Sequence, residues 1–198
     1  MSERLSGRTL RAGIRKTAFI SICDFRDLAL QGDFGDQALR ILGIDPGTAT
    51  VGYGVVDKLG ASPVMVRYGA IRTSPRQSPA ERLVTLHREL NLIIDEFAPD
   101  VIVMEQLFFA KNQTTAIAVG KACGVLQLVA AQRGVPVVEY TPPEVKQAVV
   151  GYGNAEKKQV QYMIQRILGI DEVPKPDDAA DALALAICHA HSERLRSV

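Results

Sequence analysis

Residues 40–57 read RILGIDPGTATVGYGVVD, and this stretch constrains the fold more than any other. An apolar run over 41–44 ends on a carboxylate, Asp45. Pro46-Gly47 then turns the chain, and 51–56 runs apolar again with glycines at 52 and 54. The pattern predicts a buried strand, a tight turn and a second strand. A carboxylate at the end of a buried strand is costly unless a partner or a metal neutralises it. The question for the rest of the chain is what Asp45 is there to hold.

With 198 residues, 47% of them apolar, the chain can bury one proper core. Its 23 Lys+Arg against 22 Asp+Glu leave almost no net charge, so a DNA site must come from local clustering of basic residues. Cys23, Cys123 and Cys188 are scattered, odd in number and without metal-type spacing, which predicts a reduced, cytoplasmic setting. No apolar run reaches the length of a membrane span. Arg15-Lys16 before residues 18–23 has the outline of a signal peptide, but Asp24 cuts the apolar stretch short and secretion is rejected.

Residues 1–39 differ in character from the rest of the chain. Arg4, Arg8, Arg11, Arg15 and Lys16 make them basic, 31–37 is rich in Gly and Asp, and neither period is sustained. They read as a loosely ordered extension: a solvated tail rather than a nucleic-acid contact, or the product of an upstream start codon.

From residue 40 to 198 the pattern is that of one domain. Strands are expected at 41–45, 51–57 and 64–72. Ser78-Pro79-Ala80-Glu81 is a capping box with proline at the first helical position, and it opens a helix carrying Leu83, Leu86, Leu90, Ile93, Ile94 and Phe97 on one face. A fourth strand, 101–104, ends on Glu105. A helix over 113–133 and a strand over 136–140 come next. Thr141-Pro142-Pro143-Glu144 repeats the capping logic for a helix through 149, Asn154 is the expected cap of a helix over 155–168, and a last helix starts at Asp178. Three meandering strands succeeded by alternating strands and helices predict a mixed sheet with helices on both faces, an α/β fold.

Two apolar strands therefore each deliver a carboxylate at the C-terminal end. Counting in twos, Ile41, Gly43 and Asp45 share one face, as do Val101, Val103 and Glu105. If the strands are parallel neighbours, Asp45 and Glu105 meet at one edge of the sheet. The last helix adds Asp178 and Asp181, spaced i, i+3 on one face, while Asp177 after Pro176 is the expected N-cap. The small Ala179, Ala180, Ala182 and Ala184 would let this helix approach the sheet closely.

Four carboxylates gathered without a cation repel one another. All-oxygen ligation favours Mg²⁺ or Mn²⁺ over zinc, and such a site suits in-line displacement at phosphorus. Each acid alone has an ordinary role as turn former, loop residue or cap; their joint occurrence at strand ends carries the functional reading. The competing reading is a nucleotide-binding domain, whose first phosphate loop also reads strand, Asp-x-Gly-Thr, strand. That architecture needs a second glycine-rich loop and an adenosine motif, and neither is found. A module that recognises DNA without cutting it is a third reading, which the intact acidic set argues against.

These residues also resemble a known family. GIDPG (43–47), VGYG (51–54), MEQLFFAKN (104–112), YTPPEVKQAVVG (140–151), AEKKQVQ (155–161) and DAADALALAICHAH (178–191) together look like the bacterial Holliday-junction resolvase family, RuvC. The resemblance runs from about residue 40 to 191 and does not include the first 39. It implies a ribonuclease-H-like fold, a five-stranded mixed sheet with its first three strands antiparallel. It further implies Mg²⁺-dependent cleavage of four-way DNA junctions, a homodimer, and the branch-migration partners RuvA and RuvB. The family's four acidic positions fall on Asp45, Glu105, Asp178 and Asp181, with Mn²⁺ an expected substitute for Mg²⁺.

The resemblance favours Phe108 as a stacking platform for unpaired bases, leaving Phe109 for the core. It places Lys146 and Lys157 near the cleaved DNA, with Lys111 and Lys158 as further phosphate contacts. Gly52 and Gly54 are expected to give the DNA backbone clearance, against an ordinary role in strand packing. His189 and His191, two turns beyond Asp181, are expected to be structural. Gly120 and Gly124 are expected to allow close packing, within the domain or between subunits.

Overall fold

The computed structural model describes residues 38–60, 62–106 and 113–192. Five strands form one sheet: β1 (Leu39–Asp45), β2 (Thr50–Leu59), β3 (Ser62–Arg72), β4 (Val101–Glu105) and β5 (Val137–Tyr140). Their order is β3-β2-β1-β4-β5. β1 pairs antiparallel with β2, and β2 with β3. The β1–β4 and β4–β5 pairs are parallel. This is the mixed sheet expected, with its first three strands antiparallel.

Helices cover both faces. On one lie α1 (Pro79–Phe97) and α2 (Gln113–Arg133). They bury Leu86, Leu90 and Leu126 against Leu42, Ile44 and Ile102. On the other lie α3 (Pro142–Val150), α4 (Lys157–Leu168) and α5 (Asp177–Ser192). Their Val145, Ile164, Leu183 and Ile187 close over Ile41, Val56 and Val103. Each fully buried aliphatic side chain contributes about 1.5–3 kcal/mol relative to exposure. The two faces alternate along β1, as a period of two requires.

Both expected capping boxes form. Glu81 Oε2 accepts from the Ser78 N–H at 2.7 Å, and Glu144 Oε2 from the Thr141 N–H at 2.8 Å. The cap of α4 differs from expectation. Asn154 lies outside the helix; the Glu156 carbonyl accepts from the Val160 N–H, and Gln159 Oε1 accepts from the Glu156 N–H at 2.8 Å. Asp177 is likewise not the N-cap of α5 but lies within its first turn. The Pro176 carbonyl accepts the first helical bonds, from Ala179 and Ala180.

The contact between α5 and the sheet is unusually close, and glycines make it possible. A Cβ at Gly43 would overlap the carbonyl oxygen of Ala182, and one at Gly52 would overlap that of Asp178. At Gly54 it would lie 2.7 Å from Leu183 Cδ2. The expected use of Gly52 and Gly54 as clearance for DNA is therefore corrected: helix α5 fills that space. Ala179, Ala180, Ala182 and Ala186 supply the matching small side chains on the helix, all buried.

At the opposite end of β1, Arg40 clasps three elements. Its Nε and Nη2 donate to Asp57 at 2.8 and 2.9 Å, its Nη1 donates to the Phe97 carbonyl, and its backbone N–H donates to Asp100 Oδ2 at 2.7 Å. Arg40→Ala should lower stability in urea by about 1–2 kcal/mol, discounted because Arg40 is partly exposed. Any catalysis at Asp45 should be unchanged, because five residue steps along the strand span roughly 16 Å.

Candidate metal centre

The β1–β4 register runs from Ile41 against Val101 to Ile44 against Met104. Asp45 and Glu105 are the next residues of the two strands, so the parallel pairing sets their carboxylates side by side. Both follow the parity of Ile41 and Val103, whose face carries α5. The glycine contacts press the first turns of α5 onto the same ends of β1 and β2, delivering Asp178 and Asp181. The parallel step between β1 and β4 and the tight seat of α5 together bring the four acids to one sheet edge.

Their electrostatics report the convergence. Burial pushes the Asp45 carboxyl up from 3.8 to about 7, and the charges of Asp181, Glu105 and Asp178 add to that push. Burial also raises Glu105, helped by the Asp181 charge and opposed by Lys146. Asp181 is raised by burial as well, and its hydrogen bond from Lys157 works in the opposite direction. Lys157 Nζ lies 3.1 Å from Asp181 Oδ2 and 3.2 Å from Asp177 Oδ2.

Among the described residues, Asp45, Glu105 and Asp178 have no hydrogen-bonding or ion-pairing side-chain partner. Nor, among those residues, do three or more His, Cys, Asp or Glu side chains close tightly enough to hold an ion as they stand. The carboxylates are electrostatically coupled but not drawn to a single point, and one of them, Asp181, is engaged by a lysine. The donor set nevertheless fits a hard divalent cation: all oxygen, carboxylates from three elements, and a surplus of negative charge that two lysines do not offset.

Of the residues singled out from the sequence, the structure brings together Asp45, Glu105, Asp178, Asp181, Lys146 and Lys157. Lys158 lines a shallow hollow with Val150, Tyr152 and Tyr162. Phe108, Phe109 and Lys111 lie outside the described residues, as do 1–37 with Cys23. His189 and His191 are structural, as expected. His189 Nδ1 bonds Tyr140 Oη at 2.9 Å, and His191 Nδ1 lies 3.0 Å from the Ala148 carbonyl. Sequence reasoning missed the pairing of Asp177 with Lys157; nothing in the sequence ties a residue opening one helix to the first turn of another.

Comparison with known proteins converges on one family. Residues 41–189 match the family model described as crossover junction endodeoxyribonuclease RuvC. The protein of that name from Syntrophomonas wolfei is 51% identical over 159 residues, covering 80% of this chain and 92% of the relative. That from Pelotomaculum thermopropionicum is 56% identical over 153 residues, covering 77% and 93%. Among solved structures, T. thermophilus RuvC in complex with Holliday junction substrate is similar, with 37% identity, a TM-score of 0.76, and coverage of 79% of this chain and 96% of that one. No helix among the described residues is long and apolar enough to cross a membrane.

Proposed function

The chain belongs to the crossover junction endodeoxyribonuclease RuvC family, and on that premise we propose that Asp45, Glu105, Asp178 and Asp181 are the catalytic, metal-holding residues with which it resolves four-way DNA junctions. The protein is a structure-selective endonuclease of DNA recombination and repair that hydrolyses phosphodiester bonds. The observation that carries the assignment of the site is the convergence of four carboxylates from β1, β4 and α5 on one sheet edge, with Asp45 pushed to about 7 by burial and its neighbours.

A divalent cation, Mg²⁺ with Mn²⁺ as substitute, supplies Lewis-acid polarisation of the phosphate and an activated water when bound. The rest is done by this chain's side chains. Asp45 feels the charge of all three other acids and would anchor the ion, with Glu105 contributed from β4 and Asp178 and Asp181 from α5. Lys146, which already favours the charged form of Glu105, neutralises phosphate charge on that flank. Lys111, Lys157 and Lys158 make further phosphate contacts, and Phe108 stacks on bases exposed at the junction centre.

Paired, symmetric nicks suit a homodimer, in which each subunit meets an equivalent strand. One exposed stripe fits a second copy: Ile117, Gly124 and Leu128 fall on one face of α2, with Ile117 59% and Leu128 51% exposed. A Cβ at Gly124 would meet nothing, which favours a role between subunits over packing within the domain. The nuclease domain begins with β1 at Leu39, which pairs with Lys58, one residue before the expected boundary, and the residues ahead of it are an extension to it. RuvA and RuvB are the expected partners on the junction, in the cytoplasm.

The test compares cleavage of a synthetic four-way junction with cleavage of plain duplex, in Mg²⁺ and in EDTA. Only the junction in Mg²⁺ should be cut. Equal cutting of both substrates would defeat junction selectivity, and cutting in EDTA would defeat the metal reading. Lys146→Ala should weaken junction binding uniformly across sequences and flatten the dependence of log affinity on log salt by about 1, measured by fluorescence anisotropy.

A further inference from the structure

Lys157 holds two carboxylates at once, and they differ in kind. Asp181 belongs to the acidic cluster. Asp177 lies outside the four acidic positions and is the more exposed, its side chain 65% accessible against 39% for Asp181. Both oxygens of Asp177 are occupied from α4: Oδ2 by Lys157 at 3.2 Å, and Oδ1 by Gln161 Nε2, one turn further on, at 3.3 Å. Asp177 thus ties the first turn of α4 to the first turn of α5. Asp181 is the acid that Lys157 reaches past this tie to meet.

The two demands on Asp181 conflict. An ammonium 3.1 Å from Oδ2 takes an approach to the oxygen that a divalent cation, which needs a ligand distance of about 2.1 Å, would also use. Two cations a few ångström apart repel, so the ammonium and a metal ion compete for Asp181. Lys157 need not leave the site when it yields Asp181, because Asp177 still holds it. An exposed pair of this kind is weak, loose enough for the side chain to pivot.

We propose that Lys157 is an exchangeable counter-ion of the acidic cluster, retained at its rim by Asp177. It pairs with Asp181 in the metal-free protein and gives that carboxylate up when a divalent cation is bound, while Asp177 keeps the ammonium beside the cleft for a DNA phosphate. The proposal rests on the reading of the cluster as a metal centre. Asp177 is on this account a positioning residue.

The test tracks Lys157 directly in the full chain, by acylation with acetic anhydride and mass spectrometry, with neighbouring Lys158 as the reference. Manganese alone is the probe, and calorimetry reports its binding. Mn²⁺ should raise the labelling of Lys157 relative to Lys158 several-fold. Lys157→Met should bind Mn²⁺ several-fold more tightly than the parent. Asp177→Asn should retain Mn²⁺ binding, label at Lys157 much as the parent does in EDTA, where Asp181 still holds the ammonium, and label well above the parent in Mn²⁺. Labelling of Lys157 that ignores Mn²⁺ in a protein calorimetry shows to be loaded would overturn the proposal and leave the metal centre standing. So would Mn²⁺ binding by Lys157→Met no tighter than the parent's. Absence of any Mn²⁺ binding by the folded parent chain would overturn both.

Discussion

Asp45→Asn is expected to raise the melting temperature of the metal-free protein at pH 7 while abolishing junction cleavage. The two signs come from one cause. In the folded chain, burial and the neighbouring acids move the Asp45 carboxyl from 3.8 to about 7, so the folded state holds a proton that the unfolded chain releases from about pH 4 upward. Stability conferred by that proton is present below pH 4 and lost as pH rises toward 7, because the native state binds more protons than the unfolded one. The cost of ionising Asp45 on folding has an upper bound of about 4 kcal/mol. Asparagine removes it, and at roughly 2–4 °C per kcal/mol for a chain of this size the gain in melting temperature should be several degrees. Glu105 and Asp181 are displaced in the same direction, so some pH dependence should remain in the variant. Cleavage should fall by at least about a hundredfold, since losing a central ligand removes several kcal/mol of transition-state stabilisation. Thermal melts in EDTA across pH 4–8, with junction cleavage in Mg²⁺, check both halves. A variant that melts lower than the parent at pH 7, or cuts as fast, contradicts the assignment.

Gly52→Ala is expected to be the most damaging single methyl among the described glycines. The added carbon would overlap the carbonyl oxygen of Asp178, which is helix backbone and cannot rotate away. Helix α5 must lift, and with it Asp178 and Asp181. Overpacking of this kind costs about 1–3 kcal/mol and sometimes more. Here it should also separate two acids from Asp45, so cleavage should drop far more than the remaining folded fraction accounts for. Val84→Ala is the control, because that side chain is 68% exposed on α1. Urea titration and single-turnover cleavage of both variants measure the difference; near-parental activity in Gly52→Ala would mean that the seat of α5 does not set the site.

The strand-end acids are legible in the sequence because two local rules suffice. A period of two puts Asp45 on the face of Ile41 and Glu105 on that of Val103, and parallel pairing then brings the strand ends together. Asp178 and Asp181 emerge from helical spacing in the same way. Which surfaces meet is not legible. The alanines of α5 announce a close approach and the glycines of β1 and β2 announce another, but no local pattern says that each is the other's partner. Taken alone, the glycines therefore point to DNA. Asn154 and Asp177 have good capping side chains, yet caps are decided by which carbonyl takes the first helical bond, and here those are Glu156 and Pro176. The bridge from Lys157 to Asp177 depends on the packing of α4 against α5 and leaves no sequence signature.

The central claim is that four carboxylates form one cation-binding centre. Anomalous scattering from crystals of the full chain soaked in Mn²⁺ tests it most directly. The account predicts a manganese peak ligated by Asp45 together with at least two of Glu105, Asp178 and Asp181. Manganese bound elsewhere, with these four acids empty in a protein that cuts junctions in the same ion, would contradict it.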